Sequence, residues 1–204
     1  NEKAETSAKG LYRAGDMAAV PHNYMLGAFV YGWFAGTNAA EYIATVADSE
    51  LNQDEIEAEK TRIFAPLQRP QGLSAEQVEY KLRRMVNDYL QPPKTRQKIE
   101  IALKRFEEIK ADIAQINATH PHELMRAAEV SVIRDCAEMA ARASLFRTES
   151  RWGLYHYRAD FPAKNDQDWF CHAHLKKDDH GNMVSFKKPV EPYLIQIDEQ
   201  EANS

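Results

Sequence analysis

Glu149-Ser150-Arg151-Trp152-Gly153, then Tyr157-Arg158-Ala159-Asp160-Phe161-Pro162, then Asp166-Gln167-Asp168-Trp169 with His172 just beyond, crowd into one short segment. Its arginines and carboxylates are interleaved with six aromatic side chains: Trp152, Tyr155, Tyr157, Phe161, Trp169 and Phe170. A charge taken out of water among aromatic rings must find a partner, because an unpaired buried ion is strongly destabilising. The stretch is therefore expected to form a buried salt-bridged network containing Arg151. Such a network would pin neighbouring elements together and need not touch a substrate.

Upstream of this segment, three helical patterns run in series. The first carries Val78, Leu82, Met85, Val86, Tyr89 and Leu90 on one stripe, with Ser74 and Gln77 at capping-box spacing and Pro92-Pro93 as its stop. The second places Ile99, Leu103, Phe106, Ile109, Ile113 and Ile116 at a 3.6-residue period and ends before His120-Pro121. The third runs from about 123 to 146 with Leu124, Ala128, Ile133, Ala137, Ala140 and Phe146 as its expected inner face. Three long helices joined by short proline-containing loops make an antiparallel bundle. Downstream, 169–177 and 183–189 flank Asp178-Asp179-His180-Gly181-Asn182, whose turn residues tolerate positive φ; this reads as a β-hairpin.

The start of the chain is organised differently. Leu11 to Ala14 read as a short strand ending on Gly15-Asp16, a position from which a carboxylate can accept hydrogen bonds from ligand hydroxyls. A loop with Pro21-His22-Asn23-Tyr24 leads into a helix over about 27–47. Gly27, Gly32 and Gly36 each cost that helix roughly 1 kcal/mol against alanine, which points to close backbone approach by a sheet or a ligand. A charged helix over about 54–64 and a proline-punctuated linker lead to the bundle.

The fold class that follows is mostly α with minor β: an antiparallel three-helix bundle, a C-terminal β-hairpin and a partial strand–helix unit. The divisions fall at 1–74, 75–146 and 147–204. A chain of 204 residues with 28% charged and 44% hydrophobic residues is of globular type. Its formal charge of −5, without a basic block, argues against a nucleic-acid binder. The longest apolar-leaning run, from Met25 to Val46, is too polar to be expected to insert in a membrane. No signal segment is recognised and the first residue is not methionine, so a processed or excised piece is expected, with cytoplasmic residence. Cys136 and Cys171 read as inert core thiols rather than a disulfide framework.

The 149–172 segment resembles the C-terminal signature of the fumarate reductase/succinate dehydrogenase flavoproteins. The initial block, Gly10-Leu11-Tyr12-Arg13-Ala14-Gly15-Asp16, Pro21-His22-Asn23-Tyr24 and Gly27, is similar to the part that closes the flavin site there. The Pro-His pair is closest in motif to the adenylylsulfate reductase α subunit. The resemblance implies the C-terminal portion of an FAD-dependent oxidoreductase α subunit, without the dinucleotide fingerprint, since no G-x-G-x-x-G occurs. It implies that Asp16 binds the ribityl chain, that Gly27, Ala28 and Phe29 at a helix start face the isoalloxazine, and that His22 faces substrate as the catalytic residue. The family's Asn-Arg-Leu-Gly stands here as Asn23-Tyr24-Met25-Leu26-Gly27, without the arginine that grips a substrate carboxylate, which puts a dicarboxylate substrate in doubt. The implied partners are the rest of the flavoprotein and an iron–sulfur subunit; the piece alone would be inactive and self-associate.

Against these stand plainer readings. Asp16 could be a turn aspartate, His22 a solvent-facing loop residue, and Gly32 and Gly36 packing positions. His172 and His174 share a strand face but lack a second spaced pair, so no metal site is assigned. The rival from another class is a non-catalytic helical protein-interaction module; the expensive glycine-bearing helix favours the enzyme. A flavoprotein naturally split into two chains is the third possibility.

Overall fold

In a computed structural model of the chain, the described residues are 1, 3–17, 25–47 and 50–190, apart from the side chains of 17 and 154. The chain divides into two compact units, Asn1–Asp54 and Glu55 onward. Six α-helices are described: α1 (Met25–Ile43), α2 (Gln53–Gln68), α3 (Ala75–Leu90), α4 (Arg96–Ile113), α5 (Pro121–Phe146) and α6 (Asp166–Trp169). One antiparallel hairpin joins β1 (Cys171–Lys177) to β2 (Met183–Pro189).

In the first unit the expected strand at 11–14 is absent. Tyr12 makes only an isolated bridge to Glu5, and Gly15–Met17 form a 3₁₀ turn. A strand needs a continuous ladder, and here the bonds are limited to Thr6 N–H donating to Leu11 and Arg13 N–H to Ala4. The segment instead runs along one face of α1. The Tyr12 hydroxyl donates to the Asn38 carbonyl at 3.3 Å, its ring meets Tyr42 edge-on, and a Cβ on Gly15 would lie 3.4 Å from that of Ala28. Gly15 is also at φ +63°, a conformation glycine adopts without penalty.

The second unit holds the bundle. Val78, Leu82 and Met85 of α3 pack with Ile99, Ala102, Phe106 and Ile109 of α4 and Ala127, Val130 and Ala141 of α5 in one core. Thr95 caps α4 by accepting from Lys98 N–H, and the His120 Nδ1 caps α5 by accepting from Glu123 N–H. Ser74 sits at the α3 N-cap in extended conformation, but its side chain makes no capping bond, so the expected capping box does not form. α2 runs longer than its charged pattern suggests, through Pro66, whose carbonyl accepts from Ala118 N–H at 2.9 Å.

The inner face of α5 is rotated by about one residue from the expected one. Ala127, Val130, Arg134, Glu138, Ala141 and Ser144 are buried, whereas Ala128 and Ala140 are exposed. The reason is a pair of charges at stripe positions. Arg134 and Glu138 satisfy one another one turn apart, and Arg142 adds a second bond to Glu138 at 2.8 Å. Helix burial can follow charge pairing as well as hydrophobicity once both partners are covered. Cys136 falls on the outer face and is exposed, and Cys171 is partly buried; both are free thiols, so Cys136 is no core residue. Trp169, expected to begin the hairpin, instead closes the short α6, where Asn165 caps Asp168 N–H. The hairpin itself forms as expected, with Cys171 opposite Pro189 and Lys177 opposite Met183.

Candidate functional site

Of the residues expected to serve a flavin, His22 lies outside the described residues. Asp16 stands in the first turn of the 3₁₀ element and is exposed. Gly27 is half-buried, while Ala28 and Phe29 are exposed. The contact of Gly15 with Ala28 sets the Asp16 backbone beside the opening turn of α1. The first four N–H groups of a helix lack intrahelical acceptors; on α1 they belong to Met25, Leu26, Gly27 and Ala28, and no acidic residue occupies that turn. Together they offer a carboxylate acceptor next to a partially positive helix end, which suits a ligand with hydroxyls on one side and electron-rich atoms on the other.

α1 has two unlike faces. Ala28, Asn38 and Tyr42 meet the preceding segment. Met25, Phe29 and Trp33 are 75%, 72% and 68% exposed, and Leu26, Val30 and Phe34 widen this into a double row at four-residue spacing. No residue of α1 is buried. Gly32 and Gly36 have nothing within 4 Å of a notional Cβ, so their small size leaves open surface. An exposed apolar ridge of this size marks a surface made to be covered.

The signature segment forms the network expected of it, entirely within the second unit. Glu149 is fully buried and accepts from Arg147 Nη1 at 2.5 Å, Arg151 Nε at 2.7 Å, Arg151 Nη2 at 3.0 Å and Asn165 N–H at 2.8 Å. Burial pushes its carboxyl upward, yet the bonds from Arg151, Asn165 and Arg147 outweigh that and hold it below the usual range. Arg151 is raised above its ordinary value, first by Glu149 and then by Asp166.

Arg158 is the second centre. It is fully buried, forks onto Asp160 with both bonds at 2.8 Å, and its Nη1 donates to the Ser144 and Arg147 carbonyls, neutralising the C-terminal end of α5. Asp160, lowered to about 2 chiefly by Arg158, also accepts from Arg96 N–H and so holds the start of α4. Arg158 thus ties two helices through one side chain.

Sequence reasoning missed three members of this region. Arg147 donates to the Trp169 and Cys171 carbonyls and stacks over the Trp169 ring, joining α5 to α6 and the hairpin. Lys94 bonds Ser144 Oγ at 3.0 Å and is lowered by burial and by Arg158. His156 is half-buried with no partner for Nε2; burial, then Lys94, Arg147 and Arg158, lower its pKa. The histidine in Tyr155-His156-Tyr157 is a visible signal, and Arg158 stands two residues on, but Arg147 comes from the end of α5 and Lys94 from the α3–α4 loop.

Glu149 and Arg158 are engaged with protein through all their polar atoms, so neither of these two side chains is free to grip a substrate. His172 and His174 meet edge-on, with ring centroids 6.1 Å apart, and no group of three His, Cys, Asp or Glu suited to a metal gathers among the described residues. Among the described residues no helix is long and apolar enough to cross a membrane.

With this geometry in hand, comparison with known proteins is informative. Residues 79–202 match the family described as fumarate reductase flavoprotein C-term. An uncharacterized FAD-dependent oxidoreductase of Methanocaldococcus jannaschii is 25% identical over 177 residues, covering 83% of this chain and 32% of that protein. A succinate dehydrogenase flavoprotein subunit of Rickettsia bellii is 24% identical over 196 residues, covering 89% and 33%. The structure of adenylylsulfate reductase from Archaeoglobus fulgidus superposes with a TM-score of 0.86 at 27% identity, over 93% of this chain and 33% of that one. The chain spans about a third of the length of each.

Proposed function

The chain belongs to the fumarate reductase flavoprotein C-terminal family, and from that premise we propose that it closes the flavin site of an FAD-dependent oxidoreductase. In this proposal residues 1–74 complete the FAD-binding domain, 75–146 form the helical bundle and 147–204 carry the signature, hairpin and tail. Asp16 accepts hydrogen bonds from the ribityl hydroxyls. The N–H groups of Gly27 and Ala28, with Phe29 beside them, face the electron-rich edge of the isoalloxazine. His22 faces the substrate. FAD supplies the electron transfer when bound; these residues position it and favour charge at its pyrimidine edge.

The observation that carries the reading is the seating of Gly15 on Ala28, which sets Asp16 against the opening of α1. The bare ridge Met25–Phe34 agrees with it, since the remaining flavoprotein would cover that face. Alone, the chain self-associates through residues 25–47. An iron–sulfur subunit would exchange electrons with the flavin, and the assembly would reside in the cytoplasm.

Titrating this chain with FAD tests the proposal. Without a pyrophosphate cradle, the expected result is weak binding or none, and any weak binding should be lost in Asp16→Ala. A tight, stoichiometric yellow complex, or weak binding indifferent to Asp16, overturns it.

A further inference from the structure

The loop 152–157 is strung between two anchors, Arg151 paired with Glu149 and Asp166, and Arg158 paired with Asp160. Between them the loop is held lightly. Arg151 N–H donates to the His156 carbonyl at 3.0 Å, and Lys94 N–H, from the α3–α4 loop, donates to the Tyr157 carbonyl at 2.9 Å. Trp152, Gly153, Tyr155 and Tyr157 are exposed, whereas His156 is half-buried. All of this lies within the second unit, and the flavin reading makes no use of it.

The ring of His156 is poorly matched to its surroundings. Its Nε2 is buried without a hydrogen-bond partner. The charged groups set against it are Lys94 from the α3–α4 loop, Arg147 from the end of α5 and Arg158 from its own segment. Each cation is fixed by other bonds: Lys94 to Ser144 Oγ, Arg147 to the Trp169 and Cys171 carbonyls, and Arg158 to Asp160 and the Ser144 and Arg147 carbonyls. The nearby carboxylates are committed too. Glu149 accepts from Arg147, Arg151 and Asn165 N–H, and Asp160 accepts from Arg158 and Arg96 N–H. A proton on Nε2 would therefore make a fourth cation beside three that cannot turn away, with no acceptor for its N–H. Such a charge is costly in the closed arrangement and well tolerated in water. Burial first, then Lys94, Arg147 and Arg158, accordingly lower the pKa of the ring, against an opposing bond to the Arg147 backbone.

We propose that His156 is an acid-operated latch: a proton taken from solvent onto Nε2 releases the loop 152–157 from the α3–α4 loop while the three-helix core stays folded. Once the loop lifts, the imidazolium is hydrated and withdrawn from Lys94 and Arg147, so the open form binds the proton more readily than the closed one. By linkage, the latch is fully closed above the ring's ordinary value of about 6.5. It weakens as pH falls below that, until the closed form is protonated as well. The opening can stay local for two reasons. The Arg151 and Arg158 anchors hold the ends of the loop, and the hydrophobic core is built from α3, α4 and α5 with no residue of 151–159 in it. Trp152 and Tyr155, 78% and 88% exposed, ride on this loop, so acid converts a fixed aromatic tip into a free one.

Amide hydrogen exchange of the full chain, followed by NMR between about pH 7.5 and about pH 5.5, tests the latch across the range in which histidine changes charge. The Arg151 and Lys94 amides report the loop, and the Phe106 amide reports the core. Protection at Arg151 and Lys94, corrected for the intrinsic pH dependence of exchange, should fall by up to about tenfold per pH unit below about 6.5. It should not respond to low urea, because a local opening exposes little surface, whereas protection at Phe106 should. His156→Gln should flatten the pH response at both amides. Lys94→Gln keeps a donor for Ser144 Oγ and removes one cation, so the total loss of protection at Arg151 should shrink; this variant decides the matter if His156→Gln does not fold. Protection that is constant with pH, a response that survives His156→Gln, an undiminished loss in Lys94→Gln, or exchange at Arg151 that tracks Phe106 in urea overturns the proposal.

Discussion

Replacing Arg151 by alanine removes three charged hydrogen bonds: Nε and Nη2 to Glu149 at 2.7 and 3.0 Å, and Nη2 to Asp166 at 2.6 Å. The Asp166 bond counts for little. That carboxylate is 51% exposed and keeps Lys164 at 2.6 Å, and exposed pairs contribute about 0–1 kcal/mol. Glu149 decides the magnitude, because its side chain is fully buried. Breaking a buried ion pair from one side costs about 3–5 kcal/mol. Here Arg147 and the Asn165 N–H stay in place at 2.5 and 2.8 Å, so the charge is not wholly abandoned. The cost should therefore fall at the lower end, about 3 kcal/mol. Arg158→Ala should exceed it, toward about 5 kcal/mol, since it strips Asp160 of both fork bonds and frees carbonyls at the end of α5. Equilibrium urea unfolding at neutral pH measures both, and a double-mutant cycle with Glu149→Gln isolates the pair through a coupling above about 1 kcal/mol. A shift in Arg151→Ala below about 1 kcal/mol with no coupling would refute the buried network and return Arg151 to the surface.

Further expectations concern pH, backbone and association. His156 has a folded pKa below its ordinary value, so the unfolded chain takes up the proton first; stability should fall as pH drops below about 6.5, and His156→Gln should flatten that slope in unfolding curves. Asp160 is lowered from 3.8 to about 2, so its contribution, about 2 kcal/mol, is complete above pH 4 and lost as pH falls toward 2; Asp160→Asn should abolish that acid-limb slope. Gly72→Ala should destabilise by several kcal/mol, about 2 or more, because its Cβ would stand 2.2 Å from the Gln115 carbonyl oxygen of a bonded backbone pair; an unchanged melt would show the 66–73 segment free to move. Trp33→Lys should convert a self-associating chain to monomer in sedimentation velocity, and a wild-type monomer at high concentration would show the α1 ridge to be covered within the chain.

The sequence by itself determined α3, α4 and the hairpin. In those elements one physical signal dominates: apolar side chains at 3.6-residue spacing from Val78 to Leu90 and from Ile99 to Ile109, and Asp-x-x-Gly-Asn turn chemistry between two strands. It also pointed to a paired network in the Glu149–Asp168 stretch, because charges buried among rings need partners. The tertiary structure decided which groups pair. Arg147 and Lys94 reach the network from the end of α5 and the α3–α4 loop, and no local pattern encodes contacts made over such separations. It likewise decided the face of α5, where the mutual satisfaction of Arg134 and Glu138 let charges occupy positions that periodicity reserves for apolar residues. The 3₁₀ turn at Gly15 in place of a strand has the same origin. A strand exists only where a neighbour supplies a ladder, and in this chain residues 11–14 find the side of α1 instead.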